Sequence, residues 1–214
     1  MSMLSGSDSV LVSILLLNLF VLGASRIRTI ILVVAFQGVL LGLLPPLLHH
    51  DIGWREGVVS LGALALKGVV IPRMLVRAMA DLPIRREVEP LVGFRASLIL
   101  GALATGGSLF LTTLMPVMDP AARMVIATSL ASVMTGFLLL MTRLKAITQV
   151  LGYLILENGI YIFGVLLLQA APFLVEVGVL LDLFVAIFVM GIIINHISRE
   201  FTSISTDRLT ALRD

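Results

Sequence analysis

Long runs of apolar residues, separated by short polar intervals, make up most of this chain of 214 residues. The runs are about 17 to 25 residues long, which is the length that an α-helix needs to cross the hydrocarbon core of a bilayer. The longest polar interval covers only residues 79–93, which is too short for a catalytic domain. The pattern predicts seven transmembrane helices, over residues 9–25, 29–48, 57–78, 94–115, 121–141, 147–169 and 173–196.

These spans predict an all-α, polytopic membrane helix bundle that forms a single membrane domain over residues 1–214. Within it we expect an N-terminal three-helix part with a surface loop (1–93), a linking helix (94–120) and a C-terminal three-helix part (121–214). Gly38 and Gly42 form a GxxxG pair, and Ser132 with Gly136 forms a second pair of small residues four apart. Such pairs let two helices approach closely in a membrane.

Composition supports the same conclusion. Apolar residues make up 59% of the chain and charged residues 13%, and mean hydropathy is +1.12. A soluble domain is nearer to about half apolar and a quarter charged. The excess of apolar side chains therefore has to face lipid.

The basic residues predict the orientation of the bundle. With the N-terminus outside, 12 of the 15 Lys and Arg residues lie in the intervals that face the cytoplasm. Two lie outside, Arg55 and Arg123, and Lys67 lies within a span. Positive residues concentrate on the cytoplasmic side of membrane proteins. We therefore expect the C-terminus in the cytoplasm, and a bacterial or archaeal cytoplasmic (inner) membrane as the location.

Several functional classes are excluded or disfavoured. The formal net charge of +2 is too close to balance to indicate nucleic-acid binding. Cysteine is absent, which excludes thiolate-held iron–sulfur clusters, zinc–thiolate sites and disulfides. The histidines, His49, His50 and His196, all lie near predicted helix ends, so a haem with two histidine ligands is not expected. We expect no catalytic centre, metal or cofactor in this chain.

Three charged residues lie near the predicted middle of the bilayer: Lys67, Glu157 and Asp182. A charge at that depth costs roughly 2.5–3.5 kcal/mol on insertion scales, so such residues commonly serve an ion or proton pathway. Glu176 lies nearer the outer boundary, and Tyr161 follows Glu157 by four residues, on the same face of the helix. The alternative is a structural one, in which these groups form ion pairs or polar contacts that fix the helices.

Burial raises the pKa of a carboxyl group and lowers that of an amine, so buried groups of both kinds can exchange protons near neutral pH. A proton or ion relay through Glu157, Asp182 and Lys67 is therefore the predicted function of these residues. Gln37 lies in the middle of span two and fits either the relay or a helix contact. Pro72 has no N–H group for the Gly68 carbonyl, and it should kink span three beside Lys67.

Residues 143–214 resemble a known family. The segments RLKAITQVLGYLILENGIYIFGVLL and PFLVEVGVLLDLFVAIFVMGIIINHI are similar to hydrogenase-4 component E, from the membrane arm of group 4 nickel–iron hydrogenases. The C-terminal part of that family is similar to the K subunit of complex I and to the C subunit of Mrp-type antiporters. The resemblance implies that Glu157, followed by Asn158, is the first of two proton-carrying carboxylates. Asp182 is preferred over Glu176 as the second.

The resemblance implies a non-redox membrane subunit of an energy-converting complex that translocates protons or sodium ions. It also implies several partners: antiporter-like membrane subunits, a subunit like the H subunit of complex I, and a peripheral hydrogenase or dehydrogenase module. Two alternatives stay open, namely a subunit of an Mrp-type cation/proton antiporter without a redox module, and a structural scaffold subunit.

Overall fold

A computed structural model describes residues 6–48, 54–80, 88, 90–115 and 120–166, and the regular elements in these ranges are helices. In chain order they are α1 (Gly6–Gly23), α2 (Ile27–Leu48), α3 (Trp54–Ala65), a π-helical segment (Leu66–Val70), α4 (Ile71–Ala80), α5 (Phe94–Thr113), α6 (Pro120–Thr142) and α7 (Ala146–Leu166). The all-α prediction is thus confirmed for the described part of the chain.

Helices α1, α2, α5, α6 and α7 are each long and apolar enough to cross a membrane, which makes this a multi-pass membrane protein. Their bounds agree within a few residues with the predicted spans 9–25, 29–48, 94–115, 121–141 and 147–169. The predicted span 173–196 lies outside the described residues. The total of seven spans and the orientation in the membrane stay predictions.

The predicted span 57–78 is occupied by α3, the π-helical segment and α4, which follow one another without a break. In the π-helical segment the chain makes a wider turn, and the Ile71 N–H donates to the Leu66 carbonyl five residues earlier. Pro72, next in sequence, cannot donate a backbone hydrogen bond. The expected disturbance beside Lys67 therefore takes the form of a π-turn, a feature common at functional sites.

Helices α6 and α7 pack most closely, because glycines lie where their backbones meet. A Cβ atom on Gly136 would lie 2.5 Å from the Leu156 nitrogen, and one on Gly159 would lie 2.7 Å from the Val133 nitrogen. The Ser129 hydroxyl donates to the Gly159 carbonyl at 2.8 Å. Small residues permit this approach in a membrane, where packing and hydrogen bonds hold helices together.

At one end of the bundle α1 and α6 end and α2, α5 and α7 begin. We call it the basic end, since Arg26, Arg95, Arg143 and Lys145 lie there. Val88 donates its N–H to the Ser25 carbonyl, and Leu91 donates to the Thr142 carbonyl, both at 2.8 Å. The described residues of the predicted surface loop 79–93 thus pack on the ends of α1 and α6.

Helix α5 lies on α1 and α6 with a stripe of small and hydroxyl residues. The buried positions are Ser97, Gly101, Thr105, Ser108 and Thr112. The large apolar side chains point away from the bundle, with Leu103 67% and Phe110 64% exposed. In a membrane this outer face contacts lipid or another subunit.

Candidate functional site

The centre of the candidate site is Lys67, whose side chain is 5% exposed within the bundle. It belongs to the π-helical segment and packs against α2 at Gly38. A Cβ atom on Gly38 would lie 2.7 Å from both the Lys67 carbonyl carbon and its Cβ, so only glycine admits this contact. Gly42, one turn further on, lies in the same way against Leu64. The predicted GxxxG contact is confirmed, and it places the lysine backbone against α2.

Helix α7 supplies three polar partners to the Lys67 ammonium. The Glu157 carboxylate lies 3.6 Å from Lys67 Nζ at its Oε1 atom, and the Asn158 Oδ1 atom lies 3.3 Å away and accepts a hydrogen bond. The Tyr161 ring centroid lies 5.2 Å from the same nitrogen, within range of a cation–π contact. Lys67, Glu157, Asn158 and Tyr161 are hereafter the Lys67 cluster.

The Lys67 cluster is buried, with 5% of Lys67 and 3% of Glu157 exposed. The charged pair is therefore shielded from solvent inside the bundle. A buried charge without a partner is costly, so burial favours states in which the two groups are paired or neutral. Its 3.6 Å separation exceeds the roughly 2.7–2.9 Å of a short charge-assisted hydrogen bond. The ammonium thus contacts a carboxylate, an amide oxygen and an aromatic face at the same time.

A second buried polar chain joins α1, α2 and α6. The Gln37 Nε2 group donates to Asn18 Oδ1 at 2.8 Å, and the Asn18 Nδ2 group donates to the Ser132 hydroxyl at 2.8 Å. Ser132 in turn donates to the Thr128 carbonyl at 2.8 Å. Gln37, Asn18 and Ser132 are at most 1% exposed. We call these three residues the amide chain.

The amide chain passes close to the Lys67 cluster. Gln37 precedes Gly38, the residue against which the Lys67 backbone packs. Ser132 lies between Ser129 and Gly136, which contact α7 at Gly159 and at Leu156, on either side of Glu157 and Asn158. The Gln37 Oε1 and Asn158 Nδ2 atoms are buried, and neither has a hydrogen-bond partner in the described part of the chain. A hydrogen-bonded group such as water, bound beside either atom, would satisfy it.

Comparisons with known proteins find homologues of this chain. The chain is 30% identical over 204 residues to the uncharacterized protein Rv0085 of Mycobacterium tuberculosis strain H37Rv. The aligned region covers 94% of this chain and 93% of that protein. The chain is 28% identical over 157 residues to hydrogenase-4 component E of Escherichia coli K12, which covers 72% of each chain. The Shigella flexneri protein of that name matches to the same extent. The chain is a homologue of hydrogenase-4 component E. No family model and no solved structure matches it.

In this homologue of hydrogenase-4 component E, the structure brings together three of the five predicted site residues, Lys67, Glu157 and Tyr161. Asp182 and Glu176 lie outside the described residues, so their place in the relay stays a prediction. His49, His50 and His196 also lie outside the described residues. In the described ranges no three His, Asp or Glu side chains form a group that would hold a metal ion.

Sequence analysis did not find Asn18 or Ser132 as site residues. Asn18 is the one amide in the apolar run of α1, and that isolated polar position was the available signal. Ser132 was found only as a packing residue, although its hydroxyl completes the amide chain. Gln37 makes the helix contact that was one of its two predicted roles.

Arg143 was placed in a connecting segment by its sequence position, yet it is only 1% exposed. Its Nη2 atom donates to the Leu22 carbonyl at 2.8 Å, and its guanidinium lies 5.1 Å from the Phe94 ring centroid. Burial lowers the pKa of the Arg143 guanidinium, which still stays protonated at neutral pH. Arg143 thus ties the ends of α1 and α6 to the start of α5.

Proposed function

We propose that this homologue of hydrogenase-4 component E is a non-redox membrane subunit of a hydrogenase-like complex related to complex I. The relatives named hydrogenase-4 component E support membership of such a complex. In this proposal the chain lies in a bacterial or archaeal cytoplasmic membrane. Its partners are antiporter-like subunits, a subunit like the H subunit of complex I, and a peripheral hydrogenase or dehydrogenase module.

The observation that carries a role in ion movement is the buried pair of Lys67 and Glu157, 3.6 Å apart. A buried ion pair seldom stabilises a protein more than apolar side chains of the same size would. Close helix approach is already provided by glycines at the same level, Gly38 and Gly159. The pair is therefore not needed for packing, and a proton pathway accounts for it.

In the proposed mechanism Glu157 takes up a proton, which neutralises its carboxylate and removes the counter-ion of Lys67. The ammonium then relies on Asn158 Oδ1 and the Tyr161 ring, which lie 3.3 Å and 5.2 Å away. When Glu157 releases the proton to the next carboxylate, the ion pair forms again. Asp182 is the proposed next carboxylate and Glu176 the alternative, and the ion translocated is a proton or a sodium ion.

The test is ion pumping by the assembled complex with Glu157→Gln, measured per turnover of the electron donor in vesicles. We expect pumping to fall to a small fraction of the wild-type value, because glutamine cannot carry the proton. Glu157→Asp keeps a carboxylate and should retain part of the activity. Full pumping by an assembled Glu157→Gln complex would disprove the relay.

A second variant separates the relay from the scaffold alternative. Removal of one member of a buried pair costs about 3–5 kcal/mol, so poor assembly of Glu157→Gln alone would also lower activity. The double variant Lys67→Gln, Glu157→Gln leaves no unpaired charge and should assemble. A scaffold role predicts that this double variant pumps normally, whereas the relay predicts an assembled complex with little pumping.

The antiporter alternative differs in its partners. Mass spectrometry of the complex isolated through a tag on this chain should find antiporter-like subunits together with hydrogenase or iron–sulfur polypeptides. Antiporter subunits without redox polypeptides would favour the Mrp-type complex. Isolation of this chain alone would contradict both.

A further inference from the structure

A groove of about 570 Å³ opens on the outer surface of the bundle at the basic end, between α1 and α5. Its walls are apolar over most of their length, and the turn between α1 and α2 lines one end. The residues that line it include Leu16, Phe20, Gly23, Arg26 and Leu98.

The groove has the length and chemistry of one leaflet of the bilayer. From Leu16 to Gly23 it follows seven residues of α1, or about 10 Å at 1.5 Å per residue, and the turn with the Arg26 side chain extends it further. This length is comparable with half of the roughly 30 Å hydrocarbon core. Leu16 is 62% exposed and Phe20 54% exposed, so both side chains have room for a flexible apolar ligand beside them. A hydrocarbon chain that enters at Arg26 would reach the middle of the membrane at Leu16.

The mouth of the groove carries a positive charge. Arg26 lines it and is exposed, and Thr29 lies beside it in the first turn of α2. A guanidinium binds a phosphate through two parallel N–H groups, which gives Arg a preference for phosphate ligands. Cytoplasmic leaflets are rich in anionic lipids, and the basic residues predict that this end of the bundle faces the cytoplasm.

We propose that this groove binds one anionic phospholipid of the cytoplasmic leaflet, with an acyl chain against Leu16, Phe20 and Gly23 and the phosphate on Arg26. The charge at the mouth and the apolar length behind it are matched to such a lipid. The proposal does not depend on ion pumping, since neither Lys67 nor Glu157 lines the groove.

Gly23 allows the groove to be filled without disturbing the helices. A Cβ atom added there meets no other atom within 4 Å, so Gly23→Phe should place its ring in the groove. Gly107 on α5 is the matched control, because it is also exposed and also has nothing within 4 Å of an added Cβ. Arg28→Gln is the control for Arg26→Gln, since Arg28 is an exposed neighbour that does not line the groove.

The experiment is native mass spectrometry of the purified full chain, titrated with phosphatidylglycerol or with phosphatidylcholine of the same acyl chains. We expect one phosphatidylglycerol to bind about tenfold more tightly than phosphatidylcholine. Arg26→Gln should abolish that preference, and Gly23→Phe should weaken binding of both lipids. Arg28→Gln and Gly107→Phe should bind as the wild type does.

Three results would overturn the proposal: equal affinity of the wild type for the two lipids, unchanged binding by Gly23→Phe, or the same loss in Arg28→Gln as in Arg26→Gln. The last result would indicate general attraction to surface charge. A photo-crosslinker placed at Phe20 in the assembled complex gives a further check. It should label phospholipid, and labelling of another subunit or of residues 167–214 instead would assign the groove to a polypeptide.

Discussion

At the residue scale, the interior of this bundle contains more polar side chains than helix packing requires. Asn18 illustrates this, since it accepts from Gln37 and donates to Ser132 within an apolar helix. Its position depends on both partners, and each of them would lose a hydrogen bond without it. A buried donor or acceptor that loses its partner carries the full penalty of desolvation. The amide chain therefore behaves as one unit.

Replacement of Asn18 tests this coupling. Asn18→Leu keeps the size of the side chain and leaves the Gln37 amide without its acceptor, so we expect a loss of about 0.6–2 kcal/mol in stability. The double variant Asn18→Leu, Gln37→Leu should lose less than the sum of the two single variants, because no orphaned amide is left. Unfolding in mixed detergent micelles measures this, and strictly additive losses would contradict the coupling.

At the element scale, the contact between α6 and α7 determines where the Lys67 cluster lies. Gly159 directly follows Asn158, and its Cα packs on the α6 backbone at Ser129 and Val133. The depth and facing of Glu157 therefore depend on how closely these two helices approach. On the opposite side, Lys67 belongs to the π-helical segment, and the contact of this segment with Gly38 determines where Lys67 lies.

The glycines of α7 offer a matched pair for testing this contact. Gly159→Ala would bring a Cβ to 2.7 Å from the Val133 nitrogen and 2.8 Å from the Ser129 carbonyl oxygen, backbone atoms that cannot move without moving the helix. We expect it to destabilise the bundle by about 1–3 kcal/mol. Gly164→Ala, on the same helix with nothing within 4 Å, should be neutral or stabilising by up to about 1 kcal/mol. Equal thermal stability of the two variants would show that the close approach is not required.

At the scale of the whole molecule, the apolar pattern predicts helix positions and depths, but not which helices are neighbours. Hydropathy was sufficient for the five long helices and for the similar depth of Lys67 and Glu157. It gave no sign that Arg143 would be buried against Leu22, a residue 121 positions earlier. Likewise, Asn18 and Ser132 are 114 positions apart, and only the order of packing brings them together.

This chain contains no cysteine, so a single introduced cysteine carries the only thiol. Labelling of such cysteines tests the number of spans and their orientation. Leu144 at the basic end is 57% exposed, and Leu114 at the far end of α5 is 62% exposed. If the basic end faces the cytoplasm, a membrane-impermeant maleimide added to intact cells should label Leu114→Cys but not Leu144→Cys. In inverted vesicles Leu144→Cys should be labelled and Leu114→Cys protected, and both should be labelled in opened cells. Labelling of Leu144→Cys but not Leu114→Cys in intact cells would overturn the predicted orientation.

The same labelling tests the predicted seventh span. Helix α7 begins at the basic end with Ala146 and runs for 21 residues, about 31 Å, to the opposite side at Leu166. If residues 173–196 cross the membrane once more, the C-terminus returns to the side of Leu144. Asp214→Cys should then be protected in intact cells and react in inverted vesicles, as Leu144→Cys does. Labelling of Asp214→Cys from outside, together with Leu114→Cys, would mean that residues 173–196 do not span the membrane, and Asp182 would then lose its place at the depth of Glu157.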